Sequence, residues 1–264
     1  IDYKQGLREG RYTEDFIEEM RGEPFFDVLY ECLFPDEADF DAEGYRRLLS
    51  DAELDAAYSE EWNEAKAKPG DKATEEEKKK YQESLGKYGE NRLGFDPGDG
   101  GDENAGVKRN KRYAKVVHRS RHTDQMVNVT VATELLRDHK VRGENLYWER
   151  NGVGSGSFAR LTEKKINAVG VRWGEKASKD IFANNKAEDY WLLRDWVKAG
   201  GKICDKSLID ELRGIKYKED SSGKIKIKSK EDMKKQGLKS PNEADALAMT
   251  FEKNSDENAP KIIV

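Results

Sequence analysis

The chain of 264 residues has few of the side chains that bind zinc or form cross-links, with only two Cys and three His. Cys32 and Cys204 stand far apart, so they form neither a zinc pattern nor a disulfide framework, which suits a reducing cytosol. No apolar run approaches the roughly 20 residues that span a bilayer, and no signal-peptide pattern is present. We therefore expect no structural zinc site, no membrane span and no secretion.

The chain begins with Ile rather than Met, so we expect a fragment of a longer protein. Hydrophobic residues make up 36% of the sequence and charged residues 38%. This composition predicts one substantial domain with peripheral helices, not two large domains.

Charge is distributed unevenly along the chain, although the net charge is only −5. Residues 1–65 contain 6 Lys and Arg against 20 Asp and Glu, whereas the remainder contains 42 against 33. A basic downstream part suits a phosphate-binding surface. An ordinary solvated surface of mixed charge is the alternative, which composition does not exclude.

Residues 1–58 have the pattern of an acidic helical connector. Thr13 is placed to cap a helix over 14–21, and Ser50 with Glu53 forms a capping box for a second helix. Residues 59–90 are almost wholly charged and predict a solvated insertion or linker, although Thr74 with Glu77 would cap a short helix there. Residues 253–264 form a tail.

The domain over 91–252 alternates strands and helices. Three short strands form a meander, and helices and further strands follow according to their apolar spacing. The predicted strands are 91–96, 105–110, 113–118, the run ending at Glu149, and 167–173; the predicted helices are 123–139, 155–164, 185–198 and 206–213.

Two apolar runs end in a carboxylate followed by glycines. Asp96 precedes Pro97 and a glycine-rich acidic turn that contains Asp102, and Glu149 precedes Gly152 in the same way. A strand that delivers an acid to the edge of a sheet is typical of a metal or phosphate site. Taken alone, each segment is more often an ordinary turn.

A third carboxylate lies in an apolar helix near the end of the chain. Ser240 is the predicted N-cap, Pro241 the first helical residue, and Glu243 the partner in a capping box. Asp245 then falls within the apolar pattern, where an unpaired charge would be costly, so it must meet water, a partner or a metal.

A β-hairpin over 214–228 alternates Lys with Ile in its second strand. The alternation places Lys224, Lys226 and Lys228 on one face, as candidate phosphate contacts. A half-exposed strand without a ligand explains the pattern equally well.

The order of these elements is that of a ribonuclease H-like mixed α/β sheet flanked by helices, with an inserted β-hairpin and the helical N-terminal connector. In such a sheet Asp96, Glu149 and Asp245 can converge.

At this point the chain resembles the nuclease domain of the large terminase subunit of tailed double-stranded DNA bacteriophages. The resemblance covers most of residues 90–252, and the order and spacing of the motifs carry it more than any one motif does. The motifs are Gly94-Phe-Asp96-Pro-Gly with Asp102, Glu149-Arg-Asn-Gly152-Val-Gly-Ser-Gly156, Asn185-Lys-Ala-Glu-Asp-Tyr-Trp191, Ser229-Lys-Glu-Asp-Met-Lys-Lys, and Ser240-Pro-Asn-Glu-Ala-Asp245.

The resemblance implies a metal-dependent endonuclease that cuts concatemeric viral DNA during genome packaging with little sequence specificity. Asp96 would bridge two Mg²⁺ or Mn²⁺ ions, Glu149 and Asp245 would each complete one, and Asp102 would act as an auxiliary or outer ligand. The implied partners are double-stranded DNA, the portal protein, the small terminase subunit and an ATPase domain, in the host cytoplasm and away from membranes.

Two residues depart from the family pattern. The second acid is usually Asp, whereas Glu149 is one methylene longer, and Asn242 stands where Asp is common. No Walker motif G-x-x-x-x-G-K-[ST] occurs, so the ATPase domain is absent from this sequence. Two alternatives remain open: a non-catalytic ribonuclease H-like module that docks DNA or the portal, and a fragment of an actin-like phosphotransferase, to which Phe95-Asp-Pro-Gly98 is also similar.

Overall fold

The computed structural model describes residues 2–21, 23, 26–32, 40–98, 102–152 and 154–252. The chain divides into two compact units, residues 1–46 and 47–264. Within the described residues, no helix has the length and apolar character needed to cross a membrane.

The first unit contains three short helices, α1 (Tyr3–Arg8), α2 (Glu14–Met20) and α3 (Phe26–Leu29). Thr13 caps α2 as predicted, because its side chain accepts a hydrogen bond from the amide of Phe16. Aromatic rings pack between the helices, including Tyr3 of α1 and Phe26 of α3 at 5.6 Å between centroids. Residues 22, 24–25 and 33–39 of the predicted connector lie outside the described residues.

A two-residue strand, β1 (Arg46–Arg47), lies at the boundary, and α4 (Asp51–Ala57) opens the second unit with the predicted Ser50–Glu53 capping box. The predicted connector extends to residue 58, whereas α4 is part of the second unit. This helix buries Leu54 and Ala57. Arg213, on the later helix α9 (Lys206–Arg213), also pairs with Asp51 and Asp55.

The main sheet has six strands in the order β6-β5-β2-β3-β4-β7. The neighbours β2, β3 and β4 are antiparallel, while β5, β6 and β7 are joined in parallel. The strands are β2 (Arg92–Asp96), β3 (Asn104–Arg109), β4 (Tyr113–Ser120), β5 (Leu146–Glu149), β6 (Val169–Val171) and β7 (Lys202–Ile203). The predicted mixed α/β fold is confirmed, although the two-residue β7 was not predicted.

Helices cover both faces of this sheet. On one face, Phe95 and Trp148 stack at 4.7 Å and pack with Val129 and Leu161. Side chains alternate along a strand, so the neighbouring Gly94 faces the other side and contacts the last helix. The helices are α6 (Gln125–Asp138), α7 (Gly154–Glu163), α8 (Asn185–Lys198), α9, α10 (Lys230–Lys235) and α11 (Asn242–Met249).

The charged segment over 59–90 contains a regular helix, α5 (Glu75–Tyr88), with the predicted Thr74–Glu77 capping box. The segment is also attached to the sheet. Lys108 Nζ lies 2.8 Å from Glu64 Oε2 and 4.4 Å from the ring centroid of Trp62. Few apolar residues are needed for this attachment, because a nearly buried lysine supplies it, and composition alone does not reveal such a pair.

The predicted hairpin is formed by β8 (Lys216–Glu219) and β9 (Ile225–Ile227). Ile225 and Ile227 are buried and Lys226 is exposed, as the alternation predicts. Lys228 departs from the predicted exposed face: only 1% of it is accessible, and its ammonium group donates to Gln236 Oε1 at 2.8 Å. The strand ends at Ile227, so the alternation no longer fixes the direction of the next side chain.

Candidate metal centre

Three carboxylates meet at the carboxyl-terminal edge of the central strands. Asp96 ends β2 and Glu149 ends β5, and the register Phe95↔Trp148 makes these two acids neighbours across the parallel pair. Asp245 reaches the same edge from α11. Asp96 and Asp245 are each 1% exposed, so this is a buried acidic cluster.

Two glycines permit the close packing that builds the site. A Cβ at Gly94 would lie 1.8 Å from the carbonyl oxygen of Ala246, so α11 can rest directly on β2. A Cβ at Gly154 would lie 2.0 Å from the carbonyl oxygen of Glu149, so α7 can begin directly at the end of β5. Side chains at these positions would push α11 and α7 away from the acids.

Lysine ammonium groups neutralise the acidic cluster. Lys230 Nζ, from α10, lies 3.0 Å from Asp96 Oδ2 and 2.8 Å from Asp245 Oδ2. Lys186 Nζ, from α8, lies 2.9 Å from Asp245 Oδ1, and the Tyr190 hydroxyl donates to the same oxygen at 2.6 Å. A cation therefore lies between the carboxylates, held by both sheet and helix.

The pKa values of the acids diverge because their surroundings differ. Burial, together with the adjacent Asp96, to which it is hydrogen-bonded, raises the pKa of Glu149 to about 9. Burial also opposes ionisation of Asp245, but the charges of Lys186 and Lys230 outweigh it and hold the pKa of Asp245 well below its usual range. At neutral pH the Glu149 carboxyl therefore keeps a proton, while Asp245 is ionised.

Asp102 lies beside this cluster on a separate set of contacts. Lys234 Nζ is 3.0 Å from Asp102 Oδ2, and the Ser240 hydroxyl donates to Asp102 Oδ1 at 3.1 Å. Residues 99–101 of the predicted turn lie outside the described residues.

The start of α11 differs from the prediction. Pro241 occupies the N-cap position and has no side-chain group that could cap the helix, while the predicted cap Ser240 donates its hydroxyl to Asp102 instead. Glu243 pairs with Arg119 and accepts from Ser207, so the predicted capping box does not form. Glu211 of α9 supplies a cap instead, since its Oε2 accepts from the amide of Ala244 at 2.9 Å.

The donor set fits a hard divalent cation. Carboxylate oxygens are the ligands that Mg²⁺ and Mn²⁺ prefer. In addition, the amide oxygen of Asn242, itself 6% exposed, is buried and has no hydrogen-bond partner among the residues that the structure describes, one helical turn from Asp245. Among the described residues, however, no three acidic, His or Cys side chains are arranged as a formed metal cluster. The Lys230 ammonium group occupies the position between Asp96 and Asp245.

The structure thus brings together the three predicted acids and adds groups that the sequence reasoning did not single out, namely Lys186, Tyr190, Lys230 and Glu211. The first three were visible in the sequence, because the motifs 185–191 and 229–235 contain them. No sequence pattern near Glu211 indicates its role, because it lies on α9 and caps a different helix, α11.

We compared the chain with protein families, curated proteins and solved structures. No protein-family model matches the chain, and no curated protein matches it. The nuclease domain of the large terminase subunit gp2 of bacterial virus Sf6 superposes with a TM-score of 0.60 at 20% identity, covering 79% of this chain and 100% of that one.

Two further structures contain metal. A lysine-to-alanine variant of the Sf6 domain with manganese and beta-thujaplicinol gives a TM-score of 0.62 at 19% identity, over 79% of this chain and 100% of that one. The large terminase nuclease of thermophilic phage G20c with bound magnesium gives 0.50 at 17% identity, over 78% and 96%. The resemblance predicted from the motifs is therefore confirmed in three dimensions, and the chain has the fold of a phage large-terminase nuclease domain.

Proposed function

We propose that this chain is a divalent-metal-dependent endonuclease that cleaves double-stranded DNA during viral genome packaging. One observation carries the proposal: three acids from two adjacent strands and a helix converge in a buried cluster, where lysine ammonium groups occupy the place of a cation. The terminase nuclease fold supports the same assignment, and two neighbouring structures were obtained with manganese and magnesium.

In this proposal Asp96, Glu149 and Asp245 would hold two Mg²⁺ or Mn²⁺ ions, with Asp96 as the ligand shared by both. Such ions, when bound, supply an activated water and stabilise the leaving oxygen of a phosphodiester. Asp96 is suited to the bridging position because it lies between the other two acids, bonded to Glu149 and sharing Lys230 with Asp245.

The other residues hold the cluster in place. Tyr190 and Lys186 fix one oxygen of Asp245 and leave the other for a cation. Glu149 must lose its proton and Lys230 must withdraw before ions bind, so we expect metal affinity to rise with pH. Asp102 is an auxiliary group that orients an outer ligand from its position between Ser240 and Lys234.

Double-stranded DNA is the proposed substrate, and phosphate contacts would supply affinity with little sequence preference. Lys226, which is exposed, and Lys224, which is partly buried, are the candidate contacts on the hairpin. The proposed partners are the portal protein, the small terminase subunit and an ATPase domain, in the host cytoplasm.

A non-catalytic docking module remains the second candidate, and one observation favours it: Lys230 and Lys186 already satisfy the buried acids. If these ion pairs were only structural, no metal would be required. Metal-dependent cleavage separates the two functions.

The test is incubation of supercoiled plasmid with the purified chain in Mg²⁺, Mn²⁺ or EDTA. We expect nicking and linearisation with metal, reduced about a hundredfold or more in Asp96→Asn and Asp245→Asn, because the ions stabilise the transition state by several kcal/mol. Asp138→Asn, at an exposed acid on α6, is the matched control and should cleave normally. Unchanged cleavage by folded Asp96→Asn, or none by the wild type with any metal, would count against the proposal.

A further inference from the structure

Arg150 is exposed and directly follows Glu149, yet it differs from the cations around it. Nearby basic side chains are engaged by carboxylates: Lys234 by Asp102 and Arg172 by Glu175, at 3.0 and 2.7 Å. Across the part of the chain that the structure describes, Arg150 has no ion pair, and no acceptor binds its guanidinium group. Its hydrogen-bonding capacity is therefore available to a ligand.

The backbone of Arg150 is fixed on both sides. Its amide donates to the carbonyl oxygen of Val171 at 2.8 Å, which extends the pairing of β5 with β6. Its carbonyl oxygen accepts a hydrogen bond from the Ser155 hydroxyl at 2.8 Å, at the start of α7. The residue is thus held at the same strand end as Glu149.

The side chain is positioned as well. The guanidinium carbon lies 4.8 Å from the ring centroid of Phe158. Gly170 leaves the room for this path, because a Cβ there would lie 2.8 Å from Arg150 Cδ and 2.9 Å from Phe158 Cζ. An arginine that is ordered before binding loses less conformational entropy when it meets its partner.

A phosphate is the ligand that best fits this group. The guanidinium fork matches two phosphate oxygens, and its charge is not neutralised by any described side chain. Arg150 directly follows Glu149, so its Cα lies about 3.8 Å from that of the acid. Its side chain leaves the strand on the α7 side, toward Phe158, so the phosphate it would meet is one beside the acids and not the one held by them. We propose that Arg150 binds a DNA phosphate next to the scissile one and so positions the strand. This inference rests on the proposed function.

Packing on Phe158 is the competing explanation for Arg150, and salt dependence separates the two. Each phosphate contact contributes about 0.9 to the slope of log affinity against log salt concentration. We expect Arg150→Ala to bind a short duplex more weakly than the wild type and to lower this slope by about 0.9. The affinity difference should then shrink about threefold between 50 and 200 mM salt.

The experiment is fluorescence anisotropy with a labelled duplex in EDTA, so that binding is read without cleavage. Arg172→Ala is the control. Arg172 is an exposed arginine at the end of the neighbouring strand β6, and it is already paired with Glu175, so its removal should leave the slope unchanged. Arg150→Lys should keep the slope, because its charge is retained, but lower affinity. Gly170→Ala should also weaken DNA binding, because the added Cβ would displace the Arg150 side chain from its position on Phe158. A melting curve of each variant confirms that it is folded.

Equal slopes for wild type and Arg150→Ala, including a lack of binding by both, would overturn the inference. Loss of melting temperature without loss of binding would assign Arg150 to packing and overturn it as well. Plasmid cleavage measured on the same wild-type sample decides the proposed function separately, because that assay does not depend on Arg150.

Discussion

Helix α11 crosses the sheet between two buried charged regions, and the two are built differently. At one end Asp245 shares Lys186 and Lys230 with Asp96. At the other end the buried Arg109 donates to the side-chain and carbonyl oxygens of Thr250, at 2.6 and 2.7 Å. The acidic end has charged partners on flexible side chains, whereas the basic end has a partner fixed in the backbone.

The difference separates a region to which we assign a structural role from the region that we propose to be functional. Arg109 also lies 3.8 Å from the ring centroid of Phe251, and burial, with the nearby Arg92, lowers its pKa to about 9. The described acceptors of the Arg109 guanidinium group are oxygens of Thr250 and of the Asn110 backbone, and none of them is a carboxylate. A lysine ammonium group that bridges two carboxylates can be replaced by a divalent cation, because each satisfies the same oxygens.

The largest effect on stability is expected at the basic end. Arg109→Met keeps most of the side-chain volume but leaves the buried carbonyl of Thr250 with one donor fewer. We expect the free energy of unfolding to fall by about 2–4 kcal/mol, with or without Mg²⁺. Urea unfolding followed by circular dichroism measures it. A loss of stability that Mg²⁺ restored would contradict the structural assignment of this end.

Lys230→Ala tests the acidic end. Without metal, the variant leaves Asp96 and Asp245 short of a positive charge, and we expect a loss of about 1–3 kcal/mol, because the lysine is partly exposed. Saturating Mn²⁺ should remove this difference, and the variant should bind Mn²⁺ more tightly than the wild type.

Lys235→Ala is the matched control for that prediction. It lies on the same helix, and its one ion pair among the described residues is with the exposed Asp232. We expect no change in stability or in Mn²⁺ affinity. If both lysine variants behaved alike, Lys230 would not be a substitute cation.

The acidic end should also set a pH dependence of stability in EDTA. The folded-state pKa of Glu149, about 9, lies above the ordinary value of 4.5. Between these values the folded chain binds more protons than the unfolded chain, so stability falls as the pH rises. Glu149→Gln should remove most of this loss between pH 5 and 8, as measured by urea midpoints. Identical pH profiles would contradict the raised pKa.

The smallest effect is expected on the hairpin, which lies outside both ends. Lys226→Ala should weaken binding of duplex DNA in EDTA about twofold to threefold at 0.1 M salt, as the loss of one exposed phosphate contact. Lys87→Ala, an exposed lysine on α5, is the control. Equal binding by Lys226→Ala and wild type would remove the hairpin from the DNA path.

Sequence patterns predicted most of the fold because the strands and helices have clear apolar periodicity and the caps at Thr13, Ser50 and Thr74 are local. The convergence of Asp96 and Glu149 was predictable, since both end strands that pair in parallel. The cap at Ser240 was wrong, because Asp102 competes for its hydroxyl over a separation of 138 residues. The partners of Lys228 and Lys230 could not be predicted for the same reason. Tertiary packing determines these contacts, and the spacing of residues in the sequence does not indicate them.

The most direct measurement is isothermal titration calorimetry of Mn²⁺ binding to the metal-free chain at pH 8. We predict saturable Mn²⁺ binding by the wild type, with proton release from Glu149, and loss of this binding in Asp96→Asn with the fold retained. Arg109→Met should bind Mn²⁺ as the wild type does wherever it remains folded. Equal Mn²⁺ binding by wild type and Asp96→Asn, or none by either, would contradict the acidic end as a metal centre.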